Sequence, residues 1–269
     1  MTLLVAVADA QADRNLIASA RALAAAARWE IRAVHVREPD APEPGSADLE
    51  GLELSAIDGD PVESLTRLVG GGTEVEAFAF GLSCSCAPGP AAGMGHVAEA
   101  LLNSHVAPVL LVRPDMRPVA GLKRLYVPLE GSPSTSAAMR AADDALCARG
   151  REIVMLHVVT GGDTPAETGS LPAPRMTDQE HYEWSAWQDE FTMRFSTCPE
   201  GGRHRVAVRV GVPAEIIAEE AAKNGAELIV LSWNGSFESG HGAVIKTLIE
   251  TAPCPLLLVP SDAPAPDAV

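Results

Sequence analysis

The sequence predicts an α/β protein made of two open-sheet domains in tandem, each with about five mostly parallel strands. Two observations predict this fold. Short apolar runs rich in β-branched residues alternate with amphipathic helical patterns along the chain, and such runs are typical of strands buried on both faces of a parallel sheet. The same order of runs then occurs a second time, and each copy ends in an apolar strand.

Five pairs of segments form the internal repeat, and they follow one another in the same order in both copies. The offset between partners is 122 residues for the first two pairs and 147 to 152 residues for the others, so it changes only where loops can absorb length. The second copy gains 30 residues between about Thr160 and Arg205. The pairs are Leu3–Ala8 with Leu125–Glu130, Ala33–Val36 with Met155–Val158, Gly59–Glu63 with Gly211–Glu215, Phe78–Gly81 with Ile229–Ser232, and Ala107–Val112 with Cys254–Val259.

The repeat divides the chain into two predicted domains. With 269 residues, the chain has the length of two domains of ordinary size. The first domain covers residues 1–115 and the second covers residues 121–261, because prolines between Pro114 and Gly121 interrupt the pattern directly after the fifth strand. Residues 262–269 are rich in Ala, Pro and Asp, and they are expected to form a disordered tail.

Apolar residues at helical spacing predict the first helix of each copy. A second helix is expected after Asp60, a suitable N-cap, with Pro61 at the first helical position and Glu63 at the third. A later helix is expected to run from Pro213 and to close at Gly225. The two apolar stripes comprise Leu16, Ala20, Leu23, Ala24 and Ala27 in the first copy, and Ala138, Met139, Ala142, Ala145 and Leu146 in the second.

The extra residues of the second copy consist of two parts. Residues 161–174 are rich in Gly, Pro and Thr and are expected to form a mobile loop. The second part has aromatic residues at helical spacing, namely Trp184, Trp187, Phe191 and Phe195. We interpret them as an added helix that packs its aromatic stripe on the sheet, and the alternative is an aromatic box that binds a ligand.

The composition limits the partners of the protein. The formal net charge is −16, which disfavours nucleic acid and anionic membranes because no basic face offsets the repulsion of phosphates. No run reaches the ~18 apolar residues of a membrane span, and the apolar N-terminus lacks the basic residues of a signal peptide, so it is interpreted as the first strand. The five cysteines are scattered and odd in number, which favours a reduced, cytoplasmic setting.

Several motifs of the second copy resemble the universal stress protein family in its tandem two-domain form. The segment Thr251–Val259 is the most specific, because it places Ala-Pro-Cys-Pro directly before an apolar strand. The other motifs are Arg124–Ser132, Gly211–Ile217 and Gly225–Leu231. The resemblance covers almost the whole chain, although the first copy matches less well.

The resemblance implies a Rossmann-like fold in both domains and a specific way of joining them. In that family, domains pair through their last strands. Pro108–Val112 and Pro255–Val259 are therefore expected to pair within one chain, which gives an intramolecular pseudo-dimer, with further homo-oligomerisation left open. This expectation agrees with the physical need to cover an apolar edge strand.

Many members of that family bind ATP, so the resemblance also implies a pattern of site residues. The pattern has an Asp at the tip of the first strand, spaced glycines after the fourth strand and a hydroxyl residue behind them. Such glycines let backbone N–H groups approach phosphates near a helix N-terminus. In the first copy Ala8 replaces the Asp, and Gly81 fits the first glycine. Cys84 replaces the second glycine, Gly95 comes one residue late, and His96 replaces the hydroxyl residue, so this domain is expected to be structural.

The second copy keeps more of the pattern and is the candidate site for ATP or another adenine nucleotide. Ser232 replaces the first glycine, and Ala243 removes the hydroxyl group. The alternative is that the glycines only shape the strand-to-helix turns, with a serine N-cap before Pro133 at the first helical position. The candidate ligand-binding residues are Glu130, Gly131, Ser132, Gly235 and Gly242.

No metal site is predicted from the cysteines. Cys84 and Cys86 form a C-x-C pair, but this spacing is unusual for structural zinc and a fourth ligand is not evident. A redox role of the pair is an alternative, and so is a purely structural role of two small residues in a loop.

The histidines do not form a predicted catalytic site either. His35 and His157 are equivalent in the repeat, and we interpret them as polar caps at the ends of their strands. His204 and His241 have no evident partners in the sequence. No catalytic residue is therefore proposed.

Three functions remain open at this point. The first is a cytoplasmic, non-enzymatic stress-response protein that acts as a regulatory or binding module through protein partners, with nucleotide binding weak or lost. The second is a module that senses ATP or AMP through the second domain alone. The third is a weak ATPase, which the lack of a Gly-x₄-Gly-Lys-Ser/Thr loop and of a Gly-x-Ser-x-Gly elbow disfavours.

Overall fold

A computed structural model describes residues 2–8, 13–37, 49, 51–70, 75–82, 96–104, 107–129, 136–160, 202–235, 237 and 240–261. Within these residues ten strands form one continuous sheet. The strands are β1 (Thr2–Ala6), β2 (Glu30–Arg37), β3 (Leu54–Asp58), β4 (Val75–Gly81), β5 (Val109–Val112), β6 (Arg124–Pro128), β7 (Glu152–Val159), β8 (Arg203–Val210), β9 (Leu228–Trp233) and β10 (Leu256–Pro260). Their order across the sheet is β3-β2-β1-β4-β5-β10-β9-β6-β7-β8.

The two runs of five strands have the same spatial order. In residues 2–112, here called the N-terminal half, the order is β3-β2-β1-β4-β5, and in residues 124–260, the C-terminal half, it is β8-β7-β6-β9-β10. Neighbouring strands are parallel within each half. The predicted α/β fold with a mostly parallel sheet is therefore confirmed.

The antiparallel pair lies in the middle of the sheet, where β5 meets β10. The side chains of this pair are buried, because the sheet is covered on both faces at this point. The facing residues are Leu256 with Leu111, Leu257 with Leu110, and Leu258 with Val109. One sheet thus runs through both halves without a break.

Six described helices cover the two faces of the sheet. One core contains apolar residues of α1 and α4, and the other contains apolar residues of α2, α3, α5 and α6. Each core includes residues from both halves, so the halves share their packing as well as their sheet. The helices are α1 (Arg14–Ala27), α2 (Pro61–Gly70), α3 (His96–Asn103), α4 (Ser136–Leu146), α5 (Pro213–Lys223) and α6 (His241–Thr251).

The apolar stripes predicted for the first helix of each copy are the faces that α1 and α4 bury. Leu16 and Leu23 in α1, and Met139 in α4, are at most 1% exposed. Ala27 and Ala145 lie at the margins of the stripes and are partly exposed. Local periodicity therefore identified both helices correctly.

Equivalent hydrogen bonds show that the repeat is also structural. The bounds of β1 and β6 differ by 122 residues, and so do those of β2 and β7. His35 donates from Nδ1 to the Val7 carbonyl at 2.8 Å, and His157 donates in the same way to the Leu129 carbonyl at 2.9 Å. Both histidines close the end of their neighbouring strand, which confirms their interpretation as polar caps.

The predicted helix ends are found close to where the sequence places them. The N–H of Glu63 donates to Asp60 Oδ1 at 2.9 Å, so Asp60 caps α2. The Glu63 side chain pairs with Arg67 on the same helix. At the other helix, Asn224 is the C-cap of α5, and Gly225 follows it with φ +65°.

Arg113 ties the two halves together directly after β5. Its buried guanidinium donates to the Ile249 carbonyl at 2.6 Å and to the Ala252 carbonyl at 3.0 Å, both at the C-terminal end of α6. These carbonyls have no acceptor role within the helix ladder, and a cation is favoured beside them by the helix dipole. The Nε of Arg113 also donates to Asp115 Oδ1 at 2.8 Å.

The hydrogen bond from Arg113 lowers the pKa of Asp115 below its ordinary value. Because the folded-state pKa lies below the unfolded-state pKa, the pair stabilises the fold at pH values above the unfolded pKa of about 4. This stabilisation is lost as the pH falls through the lowered pKa of the folded state.

Two further side chains cross from one part of the chain to the other near the joint. Trp233 is fully buried, and its Nε1–H donates to the Leu102 carbonyl at the end of α3 at 2.8 Å. Asn15, in the first turn of α1, donates to the Pro114 carbonyl at 2.7 Å and to the Met116 carbonyl at 3.1 Å. The segment that connects β5 with β6 is therefore held against both halves.

The first prediction concerns the Arg113 tie. Arg113→Met keeps an apolar stem but leaves the Ile249 and Ala252 carbonyls without this donor, so we expect the free energy of unfolding to fall by about 3 kcal/mol. Urea denaturation measures the change. Arg67→Met is the matched control, because the Arg67–Glu63 pair is exposed and its loss is expected to cost under about 0.5 kcal/mol. Equal effects of the two changes would contradict the role of Arg113.

The second prediction concerns Gly211, which follows β8. Its φ is +150°, and a Cβ built on it lies 2.8 Å from Cγ1 of Ile216. Gly211→Ala therefore combines backbone strain with a clash, and we expect it to lower the free energy of unfolding by about 2 kcal/mol. Gly121→Ala is the control, since the nearest side-chain atom there is 3.9 Å away. An unchanged denaturation midpoint for Gly211→Ala would count against this geometry.

Candidate functional site

The strand order of each half changes direction between the first and the fourth strand. The chain moves from β1 to β2 and β3 on one side and then returns to β4 on the other, and it does the same at β6 and β9. In open α/β sheets, ligands bind at such points, in the crevice outside the carboxyl ends of the strands. The two crevices are therefore the candidate ligand-binding sites of the sheet.

In the N-terminal half, the side chain of Asp13 closes this crevice. Its Oδ2 accepts the backbone N–H of Ala8 at 2.8 Å, directly after β1. A Cβ built on Gly81, at the end of β4, would overlap Oδ1 of the same carboxylate. The glycine is therefore needed to make room for an acidic side chain of the protein itself.

The crevice of the C-terminal half has a different arrangement. The Ser232 hydroxyl, at the position equivalent to Gly81, accepts the N–H of Ala138 in the first turn of α4 at 3.0 Å. His241, the first residue of α6, donates from Nε2 to the Ser232 carbonyl at 2.7 Å. Gly235 follows β9 with φ +90°, and Gly242 is buried in the first turn of α6.

A cavity of about 40 Å³ lies in this second crevice. It is lined by apolar residues from the ends of three strands and from the first turns of two helices, with His241 as the titratable side chain. Ligand pockets for small molecules commonly have roughly 300–1,000 Å³, so this cavity holds only a small apolar group. Its lining residues are Pro128, Leu129, Leu156, Val158, Pro213, Ile217, Leu231, His241 and Val244.

The candidate nucleotide residues are placed only in part. Gly235 and Gly242 lie on either side of the turn between β9 and α6, at the carboxyl end of the sheet. Glu130, Gly131 and Ser132 fall outside the described residues. Their role in binding therefore stays a prediction.

Other sequence predictions also fall outside the part of the chain that the structure describes. They concern the Cys84–Cys86 pair, the loop over residues 161–174, the aromatic segment over residues 182–195 and the tail over residues 262–269. Among the described helices, none combines the length and the apolar character that crossing a membrane requires.

The expectation that His204 and His241 have no partners is wrong. His204 donates from Nε2 to Asp143 Oδ1 at 2.8 Å, and both side chains are buried. The two residues lie 61 positions apart in the sequence, on α4 and β8, so no local spacing predicts their contact. Cys147, one turn beyond Asp143, is disulfide-bonded, which the scattered cysteine pattern did not predict.

Asp13 is a site residue that the sequence reading missed. The signal was available, because an Asp directly before an apolar helical stripe is a common N-cap. In the structure Asp13 is the residue before α1 but makes no side-chain cap hydrogen bond to that helix. Its carboxylate turns to the end of β1 instead, which only the three-dimensional arrangement reveals.

Comparison with known proteins identifies a family and two solved structures that this chain resembles. A model of the universal stress protein family matches residues 121–260 of the chain. A universal stress protein from Archaeoglobus fulgidus has a similar structure, with a TM-score of 0.64 and 15% identity over 96% of this chain and 98% of that chain. A protein of unknown function from Pseudomonas aeruginosa PAO1 has a TM-score of 0.63 and 11% identity over 97% and 92%. No match was found among curated proteins.

The third prediction tests the closed crevice. Gly81→Ala is expected to lower the free energy of unfolding by about 1 kcal/mol, because the new methyl group displaces the Asp13 carboxylate from the N–H of Ala8. In a chain that also carries Asp13→Ala, the same change is expected to cost little, since the displaced oxygen is gone. Urea denaturation of the four proteins measures this coupling. If Gly81→Ala lowers the free energy of unfolding equally with and without Asp13→Ala, the Asp13 carboxylate does not lie against Gly81.

Proposed function

Because the chain belongs to the universal stress protein family, we propose that it is a non-enzymatic regulatory or binding module of a stress response, built as an intramolecular pseudo-dimer. Family membership suggests the stress-response role. The proposal places ligand binding in the C-terminal half and gives the N-terminal half a structural role. The protein partners and the cytoplasmic location remain predictions.

The equal strand orders of the two halves support the pseudo-dimer. The two halves meet through their last strands, β5 and β10, with an antiparallel register. A two-fold relation between equal units produces such an antiparallel pair, because each unit presents the same strand to the other. The equivalent hydrogen bonds of His35 and His157 support the equivalence of the units.

A single observation carries the assignment of unequal roles: the Asp13 carboxylate occupies the N-terminal crevice. Its Oδ2 accepts the Ala8 N–H, and its Oδ1 lies where a Cβ on Gly81 would be, so an acidic side chain takes up space at this strand end. In the C-terminal crevice the corresponding residue is Ser232, whose hydroxyl is neutral. This C-terminal crevice contains the cavity of about 40 Å³.

The non-enzymatic character is supported by the way the crevice side chains bond. Asp13, Ser232 and His241 each contact the backbone of a neighbouring strand or helix, and these contacts shape the crevices. A general base must lie within hydrogen-bonding reach of the proton that it removes. Phosphate release from ATP by the full chain tests the proposal, and we expect no release above that of a heat-denatured sample. Phosphate release by the unmodified protein that is lost in His241→Gln would contradict the non-enzymatic character.

Weak binding of an adenine nucleotide in the C-terminal half is the second candidate function. Two observations favour it: the apolar cavity at the carboxyl ends of the strands and the N-terminus of α6 beside it. An apolar recess suits the flat face of a base, and a helix N-terminus suits a phosphate. The small volume of about 40 Å³ argues that affinity is low, because most of the ligand would lie outside the cavity.

The fourth prediction decides between these two candidates. Thermal unfolding is measured with ATP, ADP and AMP, together with an assay of the purified protein for bound adenine nucleotide. A ligand at 100 times its dissociation constant stabilises the fold by about 2.7 kcal/mol. If the C-terminal crevice binds the nucleotide, Val158→Phe is expected to remove the shift, because Val158 lines the cavity.

A matched control comes from the repeat. Val36 in β2 is equivalent to Val158 in β7, and both side chains are partly buried. Val36→Phe is expected to leave any nucleotide shift unchanged. A shift lost in Val36→Phe and kept in Val158→Phe would place the site in the N-terminal half. The absence of both shift and bound nucleotide would exclude the second candidate and leave the first.

A further inference from the structure

Far from the two crevices, three side chains of metal-binding type meet between α4 and β8. One oxygen of Asp143, Sγ of Cys147 and one ring nitrogen of His204 lie within 4.8 Å of one another. The Asp143 and His204 side chains are 1% and 6% exposed, and they share a hydrogen bond of 2.8 Å. A buried acidic–imidazole pair next to a sulfur atom is uncommon in a core that otherwise consists mainly of apolar side chains.

The donor set of this cluster suits one kind of ion. Zinc binds thiolate sulfur, imidazole nitrogen and carboxylate oxygen in a tetrahedral arrangement, with bonds of roughly 2.0–2.3 Å. Such bonds place the ligand atoms about 3.3–3.7 Å apart, so the widest separation in the cluster has to shrink by about 1 Å. Asp143 lies on α4 and Cys147 directly follows its last residue, and the N–H of Cys147 donates to the Asp143 carbonyl at 3.3 Å, which holds the two donors one helical turn apart.

Access to the cluster is provided by a cavity of about 500 Å³ between the C-terminal ends of α1 and α4. Asp143 and Cys147 belong to its lining, so an ion or a small reductant can reach them from this side. Arg28 and Arg151 also line it. Their charges favour an anionic reductant and repel a metal ion unless Asp143 and a thiolate offset them.

The oxidation state of Cys147 controls whether all three metal ligands are available. Cys147 is disulfide-bonded, and a disulfide sulfur is no substitute for the thiolate that binds a metal. We propose that Asp143, Cys147 and His204 form a zinc site, which becomes able to bind the ion when the Cys147 disulfide is reduced. The fourth position is taken by water, as in sites with three protein ligands.

The chemistry of this switch balances with a dithiol as reductant. The dithiol passes two electrons and two protons to the disulfide and becomes a disulfide itself, and Cys147 and the cysteine bonded to it each become a thiol. Zn²⁺ then displaces the proton of the Cys147 thiol, which water takes up, and it binds His204 Nε2 once the imidazole proton has moved from Nε2 to Nδ1. Binding therefore weakens as the pH falls, because all three ligands must be deprotonated.

Cobalt binding to the full chain is the fifth prediction, and it tests the proposal. Co²⁺ replaces Zn²⁺ in tetrahedral sites and gives a thiolate-to-metal absorption band. The protein is reduced with a phosphine, which becomes the phosphine oxide with oxygen from water and is then removed. We expect one Co²⁺ per reduced chain, with the thiolate band, displacement by Zn²⁺, and no band for the oxidised chain.

Three variants identify the ligands. Cys147→Ser is expected to abolish the thiolate band. Asp143→Asn keeps an oxygen that accepts from His204, so the fold is retained, and it is expected to weaken Co²⁺ binding at least tenfold. Cys254→Ala is the control, because burial raises the pKa of the Cys254 thiol to about 12 and keeps it protonated away from the site. Its loss is expected to leave the band unchanged.

The outcomes that overturn the proposal are equally defined. A reduced chain without a thiolate band has no such site. A band that persists in Cys147→Ser comes from other cysteines of the chain. Equal affinity in Asp143→Asn and in the unmodified protein, with circular dichroism showing both folded, removes Asp143 from the ligand set.

Discussion

Strands β5 and β10 are the last strands of their halves, and each would be an open edge of the sheet if the other did not lie beside it. Leu110 and Leu257, which face each other across this pair, are at most 3% exposed. An unpaired apolar edge strand would expose its N–H and C=O groups to water and to other chains. The pairing therefore joins the two five-stranded halves into one sheet. Arg113 and Trp233 add hydrogen bonds from one half to the helices of the other.

Since the two halves share one sheet and two cores, their crevices have been able to differ without changing the framework. The N-terminal crevice contains the carboxylate of Asp13 at the end of β1. The C-terminal crevice contains a neutral hydroxyl, an imidazole and a small apolar cavity. The framework is thus a matter of burial and strand order, whereas the chemistry of each crevice depends on one or two side chains at strand ends.

The parts of this structure that could be predicted from the sequence are those that short-range patterns determine. The stripe of α1 and the cap at Asp60 follow from spacings of three and four residues, and the repeat predicted that both copies have the same succession of strands and helices along the chain. The contact of Asp143 with His204 joins residues 61 positions apart, and no pattern of either segment indicates it. The Asp13 carboxylate was missed for the same reason, because its position depends on where β4 ends relative to β1.

Residues 113–123 connect the two halves within one chain, and Asn15 holds this connection against α1. A dimer of separate chains has a population that follows its concentration, and it dissociates on dilution. Here the partner strand is always present at the high effective concentration that a short linker provides. The pairing of β5 with β10 is thereby independent of the concentration of the protein.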